Sequence, residues 1–194
     1  MRELLQNQRF AAISVADVLR VARVSRASFY FYFPSRQALL GELVRRAVTQ
    51  GHDAARPWTA QQDDRIEALR SGIASGAALW QSNAGVLRAI VESWGSDEDL
   101  RQLWLEQMGT FTDAAVAVIQ ADPAAVRRLA NADVRAVAAS LTWLGERLYY
   151  LAAAGVHPFN DQGLLVDTLL HAWTSTLYGL APDDAQRTAI PGTM

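Results

Sequence analysis

Residues 25–36 read Ser25-Arg26-Ala27-Ser28-Phe29-Tyr30-Phe31-Tyr32-Phe33-Pro34-Ser35-Arg36. The run of aromatic residues stands between two serines, each of which can begin a helix. A core helix would not place hydroxyl and guanidinium groups so near its rings, and a surface helix would not carry three phenylalanines. We therefore expect a short helix that is anchored by rings on one side, with Phe29 and Phe33 four residues apart, and that presents donors to phosphates on its other side.

Helix signals continue on both sides of this stretch. Ser14 begins a helix, and Asp17 three residues later forms a weak capping box. A short link then leads to Ser25, which caps a helix that ends near Phe33 because Pro34 disfavours helix in the residue before it. Two helices joined by so tight a link form a helix-turn-helix.

The remainder of the chain also reads as helix. Ser35 caps a third helix that is predicted to run to about residue 54, and the Arg-Pro-Trp-Thr sequence at 56–59 marks a domain boundary. Further helices are predicted at 63–81, 84–94, 97–120, 132–154 and 161–180, with Ser96 and Asn160 as N-caps and Gly155 and Gly179 at C-termini. The sequence thus predicts an all-α protein with a helix-turn-helix DNA-binding domain over 1–55, a helical domain over 56–180 and a flexible tail over 181–194.

Composition narrows the class of protein. No apolar run in the 194 residues is long enough to span a bilayer and no leader sequence is evident, so we expect a soluble cytoplasmic protein with no membrane partner. Residues 1–50 hold eight arginines against three acidic residues, a charge of +5, which leaves −7 for the rest of a chain whose net charge is −2. A basic end on an acidic body is typical of a protein whose basic end meets a polyanion, although chance segregation of charge gives the same pattern.

The second helix of a helix-turn-helix enters the major groove, where its first residues face base edges. Arginine can pair with guanine, alanine can touch a thymine methyl, and serine can reach bases or phosphate. The predicted double-stranded DNA contacts are Arg26, Ala27 and Ser28, then Tyr30 and Tyr32 for phosphate oxygens, and Ser14, Ser25 and Arg36 at helix starts. The alternative is that the rings are core and the serines only caps, which the continuous pattern from residue 14 to residue 40 makes the weaker interpretation.

Residues 14–40 contain the pattern Ser14-Val15-x-Asp17-Val18, Ala22-x-Val24-Ser25-x-x-Ser28-Phe29-Tyr30-x-Tyr32-Phe33-x-Ser35-Arg36 and Leu39-Leu40. This pattern resembles the DNA-binding domain of the TetR family of bacterial repressors. The run at 29–35 is similar to the branch that includes the mycobacterial repressor of ethionamide activation. Weaker similarity continues at 144–147 and 169–179. Three departures stand out: Arg23 replaces a small turn residue, often Gly; Arg36 replaces Lys; and the first helix is truncated to about one turn, at 2–6.

The resemblance implies a ligand cavity and a dimer interface in the C-terminal domain. The positions that match the lining of the branch's cavity are Trp104, Met108, Phe111, Thr142, Trp143, Gly145, Glu146, Tyr149 and Trp173. They imply an apolar or aromatic small-molecule effector, although each tryptophan taken alone favours the core. For Glu146 and Arg147, a buried structural pair is the favoured interpretation over direct contact with a ligand. The last two long helices are apolar on more than one face, which favours a homodimer on a palindromic operator or, alternatively, a larger monomeric core.

The sequence therefore predicts a ligand-responsive transcriptional regulator, a repressor whose recognition helices separate when ligand shifts the helix after Ser35. The alternative is a lipid or small-molecule binding protein of the same fold without DNA binding, which the truncated first helix favours. An enzyme is not predicted, because the three histidines, His52, His157 and His171, are isolated and neither a cofactor nor a metal motif is present.

Overall fold

The computed structural model describes residues 1–59 and 64–179, and these two ranges contain helices and no β-strand. The helices are α1 (Arg2–Asn7), α2 (Val15–Ala22), α3 (Arg26–Tyr32), α4 (Arg36–Thr59), α5 (Arg65–Ser82), α6 (Ala84–Ser93), α7 (Glu98–Ala121), α8 (Pro123–Arg128), α9 (Val134–Ala153) and α10 (Gln162–Tyr178), with a 3₁₀ turn at Phe10–Ala12. The all-α prediction is confirmed. The tail predicted at 181–194 lies outside the described residues.

Side-chain caps set the starts of α2 and α3. The Ser14 hydroxyl accepts from the Asp17 backbone N–H at 3.2 Å, and the Asp17 carboxylate accepts from the Ser14 N–H at 3.0 Å, which completes a capping box. Hydrogen bonds from Ser14, and then from Arg20, lower the pKa of Asp17 to about 2, so the box is intact at neutral pH. Ser25 caps α3 by accepting from the Ser28 N–H at 3.0 Å, as predicted.

The turn between α2 and α3 carries backbone strain. Arg23 adopts the left-handed conformation, with φ 55° and ψ 40°, where a side chain costs roughly 1 kcal/mol relative to glycine. This is the position where the resemblance noted above implies a small residue. The strained arginine is tolerated because capped helices on both sides fix the turn.

Three element boundaries differ from the prediction. The fourth helix continues through the predicted break to Thr59, since Pro57 removes one backbone donor and packing of α4 against α5, α6 and α7 outweighs that loss. Asp97 and Asp161, not Ser96 and Asn160, cap α7 and α10, accepting from backbone N–H groups at 3.1 and 3.0 Å. A carboxylate at a helix start also interacts with the helix dipole, which favours aspartate over the preceding residue. The division of domains at 55/56 stays a prediction.

Helix α8 is not among the helices predicted from the sequence. Its signal is present in the chain: Asp122 caps the helix through the Ala124 N–H at 2.9 Å, and Pro123 occupies the first helical position. Asp122 also accepts from the Tyr178 hydroxyl at 2.9 Å and pairs with Arg65. This single carboxylate therefore joins the starts of α5 and α8 to the end of α10.

The helix-turn-helix is packed onto the body through α1 and α6. Leu4 and Leu5 of α1 are buried in one apolar cluster with Phe29 of α3 and Ile90 of α6. The Arg2 guanidinium donates to the Asn83 side chain at 2.7 Å. The short first helix thus still contributes to the core beneath α3.

Gly85 allows the close approach of α6 to α1. A Cβ at this position would lie 2.8 Å from the carbonyl oxygen of Leu5. We expect Gly85→Ala to destabilise the chain by about 1–2 kcal/mol, because backbone atoms must move to relieve the clash. Gly109→Ala is the matched control: nothing lies within 4 Å of its added Cβ, and alanine favours helix. Urea unfolding of both variants tests this, and equal stabilities would contradict the described α1–α6 contact.

The second apolar cluster holds the C-terminal half of the body together. It is formed by α5, the end of α7, α8, α9 and α10. None of the helices in the described ranges is both long and apolar enough to cross a bilayer.

Candidate functional site

The first residues of α3 lie on the surface. Arg26, Ala27 and Ser28 are exposed, and Tyr30 and Tyr32 are 45% and 73% exposed. Beneath them Phe29 is buried, its ring centroid 5.9 Å from that of half-buried Phe33. The two phenylalanines fix α3 while its polar residues remain accessible, so the helix presents donors of the kinds that read base edges and phosphates.

Phe31 lies on the exposed side of the helix, unlike the anchoring residues Phe29 and Phe33. Its side chain is 81% exposed and meets the ring of Tyr32 edge-on at 5.0 Å. Residues two apart on a helix point about 200° away from each other, so Phe31 lies opposite Phe29 and Phe33. Phe31 joins the exposed face as an apolar contact suited to a thymine methyl.

Arg36 faces inward, unlike the other predicted DNA contacts. Its Nη1 donates to the backbone carbonyl oxygens of Phe10 at 2.9 Å, Ala11 at 3.3 Å and Ile13, and its guanidinium lies 4.8 Å from the centre of the Phe10 ring. These contacts fasten the 3₁₀ turn that precedes α2. They direct Arg36 away from the exposed face, so we leave it out of the DNA contacts proposed below. Ser14 and Ser25 are exposed at the N-caps of α2 and α3.

A cavity of about 160 Å³ lies in the body, bordered by α4, α5, α6, α7, α9 and α10. Its wall is mostly apolar. Eight of the nine positions that the resemblance implied line it: Trp104, Met108, Phe111, Thr142, Gly145, Glu146, Tyr149 and Trp173. Trp143 does not. It points away from the cavity and stacks on Trp94 with ring centroids 5.8 Å apart, because neighbouring helix residues are turned by about 100°.

Several lining residues were not identified from the sequence. Trp80 lies between Trp104 and Tyr149, with ring centroids 6.5 and 6.3 Å away. Gly76 gives the Tyr149 ring room, since a Cβ there would lie 2.9 Å from the tyrosine hydroxyl oxygen. That hydroxyl donates to the Ile73 carbonyl at 3.0 Å, and burial raises its pKa. The regular spacing of small residues along one face of α5 is the signal that could have found this wall.

The helix that follows the helix-turn-helix also forms part of the cavity wall. Gly51 and His52 of α4 line it, and the His52 ring stacks on Phe111 at 4.3 Å. Gly51 lets Phe111 reach the α4 backbone, because a Cβ there would lie 2.8 Å from the ring. Phe111 therefore packs directly against the helix whose first turn carries Arg36.

Glu146 is buried at the cavity wall. Burial raises its pKa, while Arg147 and the Trp104 indole oppose that shift. The closest contact with Arg147 is long, 3.9 Å from the arginine Nε to Oε2, and the Arg147 guanidinium lies over the Tyr150 ring at 5.2 Å. Neither carboxylate oxygen has a hydrogen-bond partner among the described residues. The buried structural pair anticipated from the sequence is thus formed weakly.

Helices α9 and α10 bury most of their apolar residues within the monomer. Leu141, Leu148, Leu165 and Leu169 belong to the second apolar cluster. The apolar residues of these helices that remain exposed are fewer: Leu144 is 37% and Leu164 is 46% exposed. Part of the pattern that suggested an interface is therefore explained by the monomer's own core.

The comparisons with known proteins agree with this geometry. Residues 2–43 match the model of bacterial regulatory proteins of the tetR family, and residues 69–179 match that of the C-terminal domain of the transcriptional regulator EthR. The HTH-type transcriptional regulator EthR of Mycobacterium tuberculosis is 33% identical over 182 residues, covering 91% of this chain and 82% of the relative. That of Mycolicibacterium smegmatis is 31% identical over 185 residues, with 93% and 84% covered.

The fold also matches a solved structure. The crystal structure of a putative TetR-family transcriptional regulator from Syntrophomonas wolfei superposes with a TM-score of 0.72 at 14% identity, covering 92% of this chain and 91% of that one. The molecule is therefore a helix-turn-helix transcriptional regulator and not an enzyme. It belongs to the TetR family, and its C-terminal domain is of the EthR type. Proteins of this family bind DNA and typically form dimers.

Proposed function

We propose that the protein is a homodimeric, cytoplasmic repressor that binds a palindromic operator and leaves it when a small apolar molecule enters the cavity of the body. The observation that carries the proposal is the course of α4. This helix begins beside α3 and its later turns form part of the cavity wall, where the His52 ring stacks on Phe111. A ligand that binds one position of α4 better than another shifts the population between DNA-binding and non-binding states.

The DNA contacts we propose are the exposed residues of α3, with the N-caps of α2 and α3 at the phosphates. Arg26, Ala27, Ser28 and Phe31 would meet base edges, and Tyr30, Tyr32, Ser14 and Ser25 would meet the backbone. A two-fold dimer through α9 and α10 would set two copies of α3 roughly 34–36 Å apart, one turn of DNA. Leu144 and Leu164 supply the exposed apolar contacts for that dimer.

Fluorescence anisotropy with the palindromes upstream of the protein's own gene tests the repressor function. We expect saturable binding that weakens steeply as salt rises, and a clear preference over random DNA of equal length. Binding without that preference would contradict the proposal. It would instead favour the second candidate, a small-molecule binding protein of this fold without operator recognition, to which the cavity alone also lends support.

Arg26 provides the sharpest variant. We expect Arg26→Ala to weaken operator binding by about 1–3 kcal/mol, roughly 5- to 150-fold, because a bidentate contact with guanine is lost. Arg127→Ala is the matched control: it removes the same charge from an exposed position of α8 in the acidic body. Anisotropy titrations at one salt concentration compare the two. Equal losses would show that net charge, and not a contact of α3, drives binding.

A further inference from the structure

The cavity contains one feature that an apolar effector alone does not explain. The side chain of Glu146 is 2% exposed, and both of its carboxylate oxygens lack a hydrogen-bond partner among the residues that the structure describes. It is the carboxylate among the described lining residues, most of which are apolar. A buried carboxylate without a partner is costly, and native structures seldom keep one without a ligand, ion or water to satisfy it.

No neighbouring cation satisfies Glu146. The Arg147 Nε is 3.9 Å from Oε2, beyond hydrogen-bond distance, and the arginine side chain is 49% exposed. Its guanidinium lies over Tyr150. The Trp104 Nε1–H is also buried at this wall, and although the indole lies close enough to lower the pKa of Glu146, the two groups do not form a hydrogen bond of normal geometry. The cavity wall thus has a polar corner where the Trp104 donor and the Glu146 carboxylate lie near each other without a hydrogen bond of normal geometry.

We propose that the effector of this protein is a small arylalkyl amine whose ammonium group binds Glu146 and whose aromatic ring packs between the indole and phenol rings. The proposal rests on the effector function proposed above for this cavity. Size and chemistry both support it. A volume of about 160 Å³ is close to that of cavities that take up one benzene ring, and an ammonium supplies the charge and N–H donors that Glu146 lacks.

Two probes of similar shape separate charge from burial. We would titrate 2-phenylethylamine and 2-phenylethanol into the full chain in a calorimeter, without DNA. We expect the amine to bind the wild-type protein at least about tenfold more tightly than the alcohol, since a hydrogen bond to a buried charge is worth more than one to a neutral group. If the wild-type protein does not bind the amine, or binds it no more tightly than the alcohol, the proposal is overturned.

The variant Glu146→Gln removes the charge and keeps the shape. It should remove the preference for the amine while changing alcohol binding by less than about twofold. Glu106→Gln, at an exposed position of α7, is the matched control and should leave both affinities unchanged. An unaltered ratio of amine to alcohol affinity in Glu146→Gln would overturn the proposal.

A second titration separates this proposal from the repressor function. The amine is added to the complex of protein and operator DNA. Binding in the calorimeter without release of DNA would leave the ligand class standing and contradict ligand-controlled repression. If the protein binds the operator but does not bind the amine, the proposed ligand class is overturned and the DNA-binding function stands.

Discussion

Replacement of Phe29 by alanine should be the most damaging single change in the DNA-binding domain. The side chain is 4% exposed and belongs to the apolar cluster that joins α1, α3 and α6. Removing a buried phenylalanine costs about 3–5 kcal/mol through lost burial and the cavity left behind. Because the ring fixes α3, we expect Phe29→Ala to abolish operator binding and to lower the urea midpoint of the whole chain.

The same helix supplies the control. Phe31→Ala deletes an identical ring two residues away, from a side chain that is 81% exposed. We expect its stability to stay within about 0.5 kcal/mol of wild type, because little buried area is lost. Any loss of operator affinity in Phe31→Ala would then report a contact with DNA and not unfolding. Equal destabilisation of the two variants would contradict the orientation of α3 described above.

The second large effect is expected at Asp122. Its carboxylate is buried, caps α8, and accepts from the Tyr178 hydroxyl at 2.9 Å. We expect Asp122→Ala to cost about 2–4 kcal/mol, the sum of a lost cap and a lost charged hydrogen bond that leaves Tyr178 unpaired. The Arg65 side chain is 53% exposed, so its ion pair adds little. Asp122→Asn keeps a good capping residue, so its free energy of unfolding should lie between those of wild type and Asp122→Ala.

The pH dependence of this effect has a definite sign. Burial raises the pKa of Asp122, but hydrogen bonds from the Ala124 N–H, Tyr178 and Arg65 outweigh it and leave the pKa lowered in the folded protein. A carboxyl group with a lowered folded pKa stabilises the protein above its unfolded pKa, about 3.9, and loses that contribution as pH falls through the folded value. Urea unfolding at pH 7 and pH 3 should therefore show a smaller difference between wild type and Asp122→Asn at pH 3. A constant difference would exclude this charge as the cause.

Local chemistry was enough to predict the helix-turn-helix. The caps at Ser14 and Ser25 and the stop at Pro34 depend on residues within four positions, and the structure confirms them. The left-handed Arg23 is also a local property of a short turn between two capped helices. These features do not need knowledge of the rest of the fold.

Positions decided by tertiary packing were predicted less well. Arg36 resembled a phosphate contact because its carbonyl acceptors belong to a turn that is distant in sequence. Trp143 was expected to line the cavity and does not, whereas Trp80 lines it and was not identified. Packing sets the rotation of α9 and α5 about their axes, and this rotation decides which indole reaches the cavity. The missing partner of Glu146 is a further case, because only a folded chain shows which polar atoms are left unpaired.

The inward arginine has a consequence for how this protein can change in evolution. Arg36 holds the turn before α2 through the main-chain oxygens of Phe10, Ala11 and Ile13, and main-chain oxygens are present whatever the side chain. The exposed residue Ala11 can therefore be replaced by other residues without loosening the turn. The order of that segment is encoded 23 residues further along the chain, at one codon whose planar guanidinium also lies over the Phe10 ring.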